Sequence, residues 1–514
     1  MVRALRLLPA RVVLASLLPA CAAPATGDDG SATLEPTSTT QIGTDPGTTS
    51  APDPTSTTDP TSITVSSSGE PPTTSGVPDT GTGEPIEPAW ARSFAAPDGQ
   101  RPGGIGLAAD GSLWVAGDFY GSMDLGLGAL AGEGTGLYLA RYGATGDALS
   151  TQAFFASNGE PTLSQIAGLG VDSGGAVIVT GWLEGTYELG GASLTADEVD
   201  VHVAKWDADG APRWGQRFGQ ADWQVSHGLA IGADDSIWIA GATLAPFMVA
   251  DIALTGTATT GIFVIRLDPD GAPIFARWYG DAGDQEAKAI AVCDDGSAVI
   301  TGFFTAPLTF GAETVEPLAG KDMFLARIDP QGEPLWIRAY TGTGTDYGAH
   351  LDCDSEITFA AVVTGDATIG DLELAAGGAA DIVLGRHSLD GELLWATAIT
   401  GAEDQHPTGL AALADGATAV LLTTSGTAQL GDQQVPTSGQ TDLLFAVYPA
   451  GATSPGQVIT LADTDAQSAG PMATHAGVTA IAATLAGTVA WPGLPPIEAS
   501  SGQDLGLVRF APAP

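Results

Sequence analysis

Carboxylates recur at one place in each unit of this sequence. Asp98, Asp222, Asp284, Asp346, Asp404 and Asp465 follow one another at about 60-residue intervals, with Asn158 in the remaining slot. In a closed array of repeats they would emerge on one face. Oxygen ligands around an opening suit a hard cation, so Asp222, Asp284, Asp346 and Asp404 are the candidate metal ligands, with calcium the ion they fit. The same residues also make Asx turns that cap the start of a strand. Their regularity favours that role, because a site uses a few units rather than all. The histidines are His202, His227, His350, His387, His406 and His475, and none forms the close pair of a zinc site. His227, His350 and His406 fall in the connections that carry the acids, where they could serve a metal or acid–base chemistry. Asp207-Ala208-Asp209-Gly210 and Asp268-Pro269-Asp270-Gly271 have the look of calcium loops without the full ligand series, and sit where every copy needs a hairpin. No nucleophile elbow, phosphate-binding loop or zinc-protease helix is present, so no catalytic residue and no organic cofactor is assigned. Cys293 and Cys353 lie in neighbouring repeats. They either bridge two units, as an exported protein allows, or stand as two small buried side chains.

What must position these residues is a repeat. Met323 to Ile328, a turn through Asp329 and Gly332, and Pro334 onward read as strand, turn, strand. The unit returns with turn glycines Gly146, Gly210, Gly271 and Gly391. A second anchor, a turn and a β-rich run ending in glycine, recurs as Gly111 to Gly117, Gly175 to Gly181, Ser236 to Gly241 and Gly296 to Gly302. Weaker copies at Ile357 to Gly365, Thr418 to Gly426 and Val478 to Gly487 bring the number to seven. Each repeat holds about four strand-length runs; in the fourth they are 288–292, 297–301, 323–328 and 334–340. No amphipathic helix of three turns intervenes. Four short strands repeated seven times predict an all-β fold, a seven-bladed β-propeller of four-stranded blades. Trp90-Ala91-Arg92-Ser93-Phe94 matches the fourth strand of a repeat, and Leu505 to Phe510 matches the third. The N-terminal strand should therefore complete the last blade and close the ring; an open superhelix of the same units is the alternative. The recurrent tryptophans, among them Trp114, Trp214, Trp238 and Trp336, are expected to pack blade on blade.

The flanks divide the chain into 1–21, a signal; 22–88, a Ser/Thr/Pro-rich tether that cannot bury enough apolar surface to order itself; and 89–514, the propeller. The basic start, the apolar core and Leu18-Pro19-Ala20-Cys21 resemble a bacterial lipoprotein signal, which implies lipid on Cys21. The formal net charge is −43. Such an acidic chain has no face for a phosphate backbone, which excludes nucleic acid as a partner. Membrane contact is expected only through the lipid.

One copy, Ala276-Arg277-Trp278-Tyr279-Gly280, Asp294-Asp295-Gly296, Val299-Ile300-Thr301-Gly302-Phe303 and Asp322-Met323-Phe324-Leu325-Ala326-Arg327-Ile328-Asp329, carries a further likeness. It resembles the SBBP-type β-propeller repeats found in predicted surface lipoproteins of myxobacteria. The resemblance implies a fold and a place in the bacterial cell envelope, at the outer membrane or surface, and no catalytic residues. Ala326-x-x-Asp329-x-x-Gly332-x-x-x-Trp336 is also similar to the tryptophan-docking repeats of quinoprotein dehydrogenases. The expectation is a monomeric, non-enzymatic binding or scaffold module for a protein or carbohydrate at the cell surface. The alternative is a secreted propeller enzyme, a carbohydrate-active lyase or hydrolase or a quinoprotein.

Overall fold

Second and third strands in this chain read as largely apolar runs because neighbouring blades cover both of their faces. In the computed structural model, Ala298–Phe304 and Asp322–Ile328 are buried at every position, as expected of strands with no solvent side. The structure describes residues 86–512 apart from 96–98, 158–163, 376–378, 414–415, 438–440, 462–465 and 500–503. Asp98, Asn158, Asp465, Cys21, the signal and all but the end of the tether lie outside the described residues.

Seven antiparallel four-stranded blades form the molecule, blades 1 to 6 spanning 100–155, 164–218, 224–279, 285–340, 347–401 and 405–461. Blade 7 takes three strands from 468–512 and its outer strand from Ile86–Phe94, with Phe94 opposite Leu505 and Trp90 opposite Arg509. Inner strands of successive blades touch all the way round, and that of blade 7 returns to that of blade 1. The array is a closed β-propeller, not an open superhelix.

Between second and third strands every blade adds an element that the four-run reading of the repeat omitted. In blade 4 it is the hairpin Leu308–Phe310 with Glu313–Val315. In blade 1 the main strands simply run longer, Leu113–Asp124 and Ala129–Tyr142. The hairpin of blade 6 adds directly to the outer strand of blade 5, Ile399 opposite Leu430.

Two contacts are repeated between blades. The third-strand cation holds an acid in its own first turn and a carbonyl in the next blade. Arg327 pairs with Asp295 and donates to Leu389 O at 2.6 Å. Arg266 pairs with Asp234 at 2.6 Å and donates to Pro330 O. Lys205 pairs with Asp172 at 2.9 Å and donates to Pro269 O. The second contact explains the tryptophan pattern. Trp336 Nε1 donates to Leu389 O at 2.9 Å, and its ring lies against Gly391 of the following blade. Gly391 has φ 81°, and a Cβ there would come 3.1 Å from that ring, so glycine is needed for both turn and docking. Trp90 meets Gly146 and Trp214 meets Gly271 in the same way.

Candidate functional site

The glycine that ends the second sequence anchor lies inside its strand. A Cβ on Gly302 would fall 1.9 Å from Glu286 O, and one on Gly241 2.0 Å from Val225 O. At these points the inner strand crowds the second strand, and it carries one residue too many. Register shifts between Ala287 and Ala289 and between Ser226 and Gly228, leaving Lys288 and His227 as the extra residues. Such a bulge re-aims a side chain. Every inner strand has one, and the bulged residues line the axial channel, a cavity of about 360 Å³. Four other blades place Gly103, Ala167, Ala349 and Thr408 at the bulge, and the seventh Gly470 and Pro471. Only the adjacent blades 3 and 4 place long polar side chains there.

Those side chains converge. Lys288 Nζ lies 2.6 Å from Glu286 Oε2, and His227 Nε2 lies 3.5 Å from the same oxygen. Burial would raise the Glu286 carboxyl, but the His227 contact and the Lys288 charge outweigh it and hold the group down at about 2. Burial, helped by Lys288, lowers His227 and keeps its imidazole neutral at pH 7. Lys321 joins from the segment before the third strand of blade 4. Its Nζ stands 3.8 Å above the ring of Phe303, and Lys288 Nζ is 5.6 Å from that ring. Burial lowers Lys321; Glu286 and Asp284 oppose the shift and Lys288 adds to it. His350 lines the channel beside Ala349, within 3.1 Å of Pro407 O, and burial pushes it down to about 4.

The residues singled out by sequence lie elsewhere. Asp222, Asp284 and Asp404 are exposed and Asp346 is buried. Asp284 accepts from Thr260 Oγ1 at 3.3 Å and Asp404 from Ala380 N at 3.0 Å, so each fastens its loop to the preceding blade. Asp346 accepts from Thr364 N at 3.1 Å. Asp222 sits in a left-handed turn, φ 69°. Among the described residues no three His, Cys, Asp or Glu side chains group as a metal site. Asp207 and Asp268 each accept from the amides two and four residues on, closing hairpin turns. His227, His350 and His406 prove to be in the inner strands and not in the connections, because those strands begin three residues earlier than their apolar runs; His406 is exposed. His202 and His387 are buried in third strands. Cys293 and Cys353 form a disulfide at the ends of the inner strands of blades 4 and 5, with Cα atoms 4.7 Å apart. Asp294 N donates to Asp354 O beside it.

Sequence reasoning missed Glu286, Lys288 and Lys321. A signal was present: the chain has only three lysines, and two of them, 33 positions apart, belong to one repeat.

No family model matches the sequence, and no curated protein matches it. Solved structures resemble the chain only distantly. A puromycin hydrolase is 12% identical, with TM-score 0.41, covering 76% of this chain and 50% of its own. The chain thus spans about half the length of that protein. A protein of unknown function from Dyadobacter fermentans is 10% identical over 83% of this chain and 99% of its own, TM-score 0.36. The exotype rhamnogalacturonan lyase YesX is 10% identical over 84% and 90%, TM-score 0.29. At this distance the likeness says nothing of what the chain does.

Proposed function

We propose that this chain is an exported, lipid-anchored β-propeller of the bacterial cell envelope that acts as a non-enzymatic binding module through the mouth of its axial channel. The observation that carries the reading is the break in sevenfold regularity: a channel walled mostly by small residues takes Lys288 and His227 from two adjacent blades, with Glu286 and Lys321 beside Lys288. Lys288 is held by Glu286 there, His227 stands 3.5 Å from the same carboxylate, and the hydroxyl at the bulge level, Thr408, already donates to Leu421 O. Nothing in that set is activated as a nucleophile. Export is supported by the Cys293–Cys353 bridge, which suits an oxidising compartment, and by the signal-like start ending at Cys21.

The approach of His227 to Glu286 favours a second reading, a lyase or hydrolase with neutral His227 as general base. One experiment separates them. The purified chain is incubated with neutral and acidic polysaccharides while reducing ends and unsaturated sugars are followed. The module reading expects no turnover; turnover abolished by His227→Ala would establish the enzyme. For the anchor, Cys21→Ser should move the protein from the membrane to the soluble fraction, since the acyl chains supply the membrane affinity. A variant that stays with the membrane would refute lipidation at Cys21.

A further inference from the structure

We infer that the sector bounded by Lys288, Lys321, Glu286 and His227 binds a small hydroxylated carboxylate of monosaccharide-acid size. The inference rests on the channel being the binding face, and it names the ligand class.

Charge is the first argument. Ten acids lie in 22–88 and three arginines in the signal, so the ring itself carries about −36. In such a field cations are used sparingly. Lys205 and Lys288 each hold a carboxylate, at 2.9 and 2.6 Å. Lys321 has none within ion-pair distance among the described residues, and instead shares the ring of Phe303 with Lys288. Two ammonium groups flank one buried aromatic ring; of the two, Glu286 is in contact with Lys288 alone, and Glu286 and Asp284 act on Lys321 only from beyond ion-pair distance, so the Lys321 ammonium is left without a carboxylate in contact among the described residues. A ligand carboxylate supplies one, and Lys321 can meet it while Lys288 stays on Glu286.

The second argument is hydrogen-bonding capacity. His227 Nε2 is buried and has no closer partner than the 3.5 Å contact with Glu286. Glu286 is ionised and accepts only, with further lone pairs free for donors. A bare carboxylate would use Lys321 and leave these groups idle. A polyol carboxylate engages both, its hydroxyls donating to Glu286 and exchanging a bond with His227. The third argument is room. A cavity of about 360 Å³ is at the small end of ligand pockets; Gly470 and Pro471 of blade 7 face the sector across the channel, and Ala167 and Ala349 keep its flanks clear.

Calorimetric titration of the purified chain tests the site with four probes: galacturonate, gluconate, glucose and acetate. Galacturonate or gluconate should bind at about millimolar Kd or better, and glucose and acetate at least about tenfold more weakly. Lys321→Gln should weaken the sugar acid by about tenfold or more and leave the melting temperature unchanged, while Asp222→Asn, exposed near the same mouth, should leave binding intact. Trigalacturonate as a further probe distinguishes sources: tighter binding than the monomer assigns the site to a chain end, equal or weaker binding to a free acid. Equal affinity for glucose and galacturonate, full affinity in Lys321→Gln, or no heat with either acid up to about 10 mM would overturn the inference. Those results would leave a binding module of other specificity standing. Consumption of a bound sugar acid would do the reverse, keeping the site and ending the non-enzymatic reading.

Discussion

Asp346 illustrates how a residue chosen for ligand chemistry turns out to hold structure. Its amide donates to Lys321 O, its Oδ1 accepts from Thr364 N, and its Oδ2 is buried without a partner. Burial pushes the carboxyl up to about 6; the Thr364 bond relieves this in part and neighbouring Asp322 adds to it. Unfolded, the group titrates near 4, so between those values the folded chain binds the extra proton. Its stabilising share is complete below about pH 4 and is lost as pH rises through about 6. Asp346→Asn should therefore stabilise the ring at pH 7.5 by no more than about 3 kcal/mol and flatten the change in stability between pH 4.5 and 7.5. Urea unfolding at the two pH values checks this; an unchanged pH slope in the variant would show that Asp346 is ionised normally. Glu286 acts in the opposite sense. Its depressed pKa contributes stability above about pH 4.5 that disappears as pH falls toward about 2. At this scale the sequence showed that acids recur but not which of them is buried, because burial depends on how each loop folds over its neighbour.

A blade was legible as an element because its second and third strands are largely apolar and its turns need glycine. Gly146, Gly210, Gly271 and Gly332 all have φ between 83° and 89°, and only such a turn serves where a neighbouring ring packs against it. The bulge was not legible. Gly302 looks in sequence like the end of a strand, yet Ala298–Phe304 passes through it. Its meaning lies in Glu286 O on the adjacent strand, a contact that no pattern along one strand records. The hairpins were missed because a run as short as Leu308–Phe310 falls below the length at which alternation is readable. The bulge can be tested as an element. Gly302→Ala places a methyl on the inner-strand carbonyl, so the inner strand must shift or the bulge be lost. We expect a loss of about 2 kcal/mol or more on chemical unfolding together with weakened ligand binding, since Lys288 is displaced. Ala361 stands at the equivalent place in blade 5, opposite Gly348, and Ala361→Gly should leave ligand binding intact. Equal behaviour of the two variants would mean that the bulge does not position Lys288.

At the scale of the whole ring, closure depends on strands from the two ends of the propeller meeting in one sheet. Ile86–Phe94 pairs with Asp504–Pro512 over eight residue pairs, and Phe94 packs beside Tyr142 with ring centroids 5.2 Å apart. Trp90 Nε1 donates to Ala144 O of blade 1, so this strand joins blade 7 to blade 1 as well as completing blade 7. Gln457 adds a third blade: its side chain both accepts from Ile86 N and donates to Ile86 O. The closing strand therefore touches blades 6, 7 and 1, and it is also where the chain enters the ring from residues 22–88. Removal of 86–94 would leave Asp504–Pro512 as an unpaired edge, with Leu505, Leu507 and Phe510, now buried, losing their cover on one side. An edge of that kind recruits other strands. Chains lacking 86–94 should melt at a lower temperature and form dimers or larger species on size-exclusion chromatography. Addition of a peptide of residues 86–94 should return both properties toward those of the intact chain, because the peptide can supply the missing ladder without being joined to it. A truncated chain that stays monomeric with an unchanged melting temperature would show that six blades and three strands hold the ring without closure.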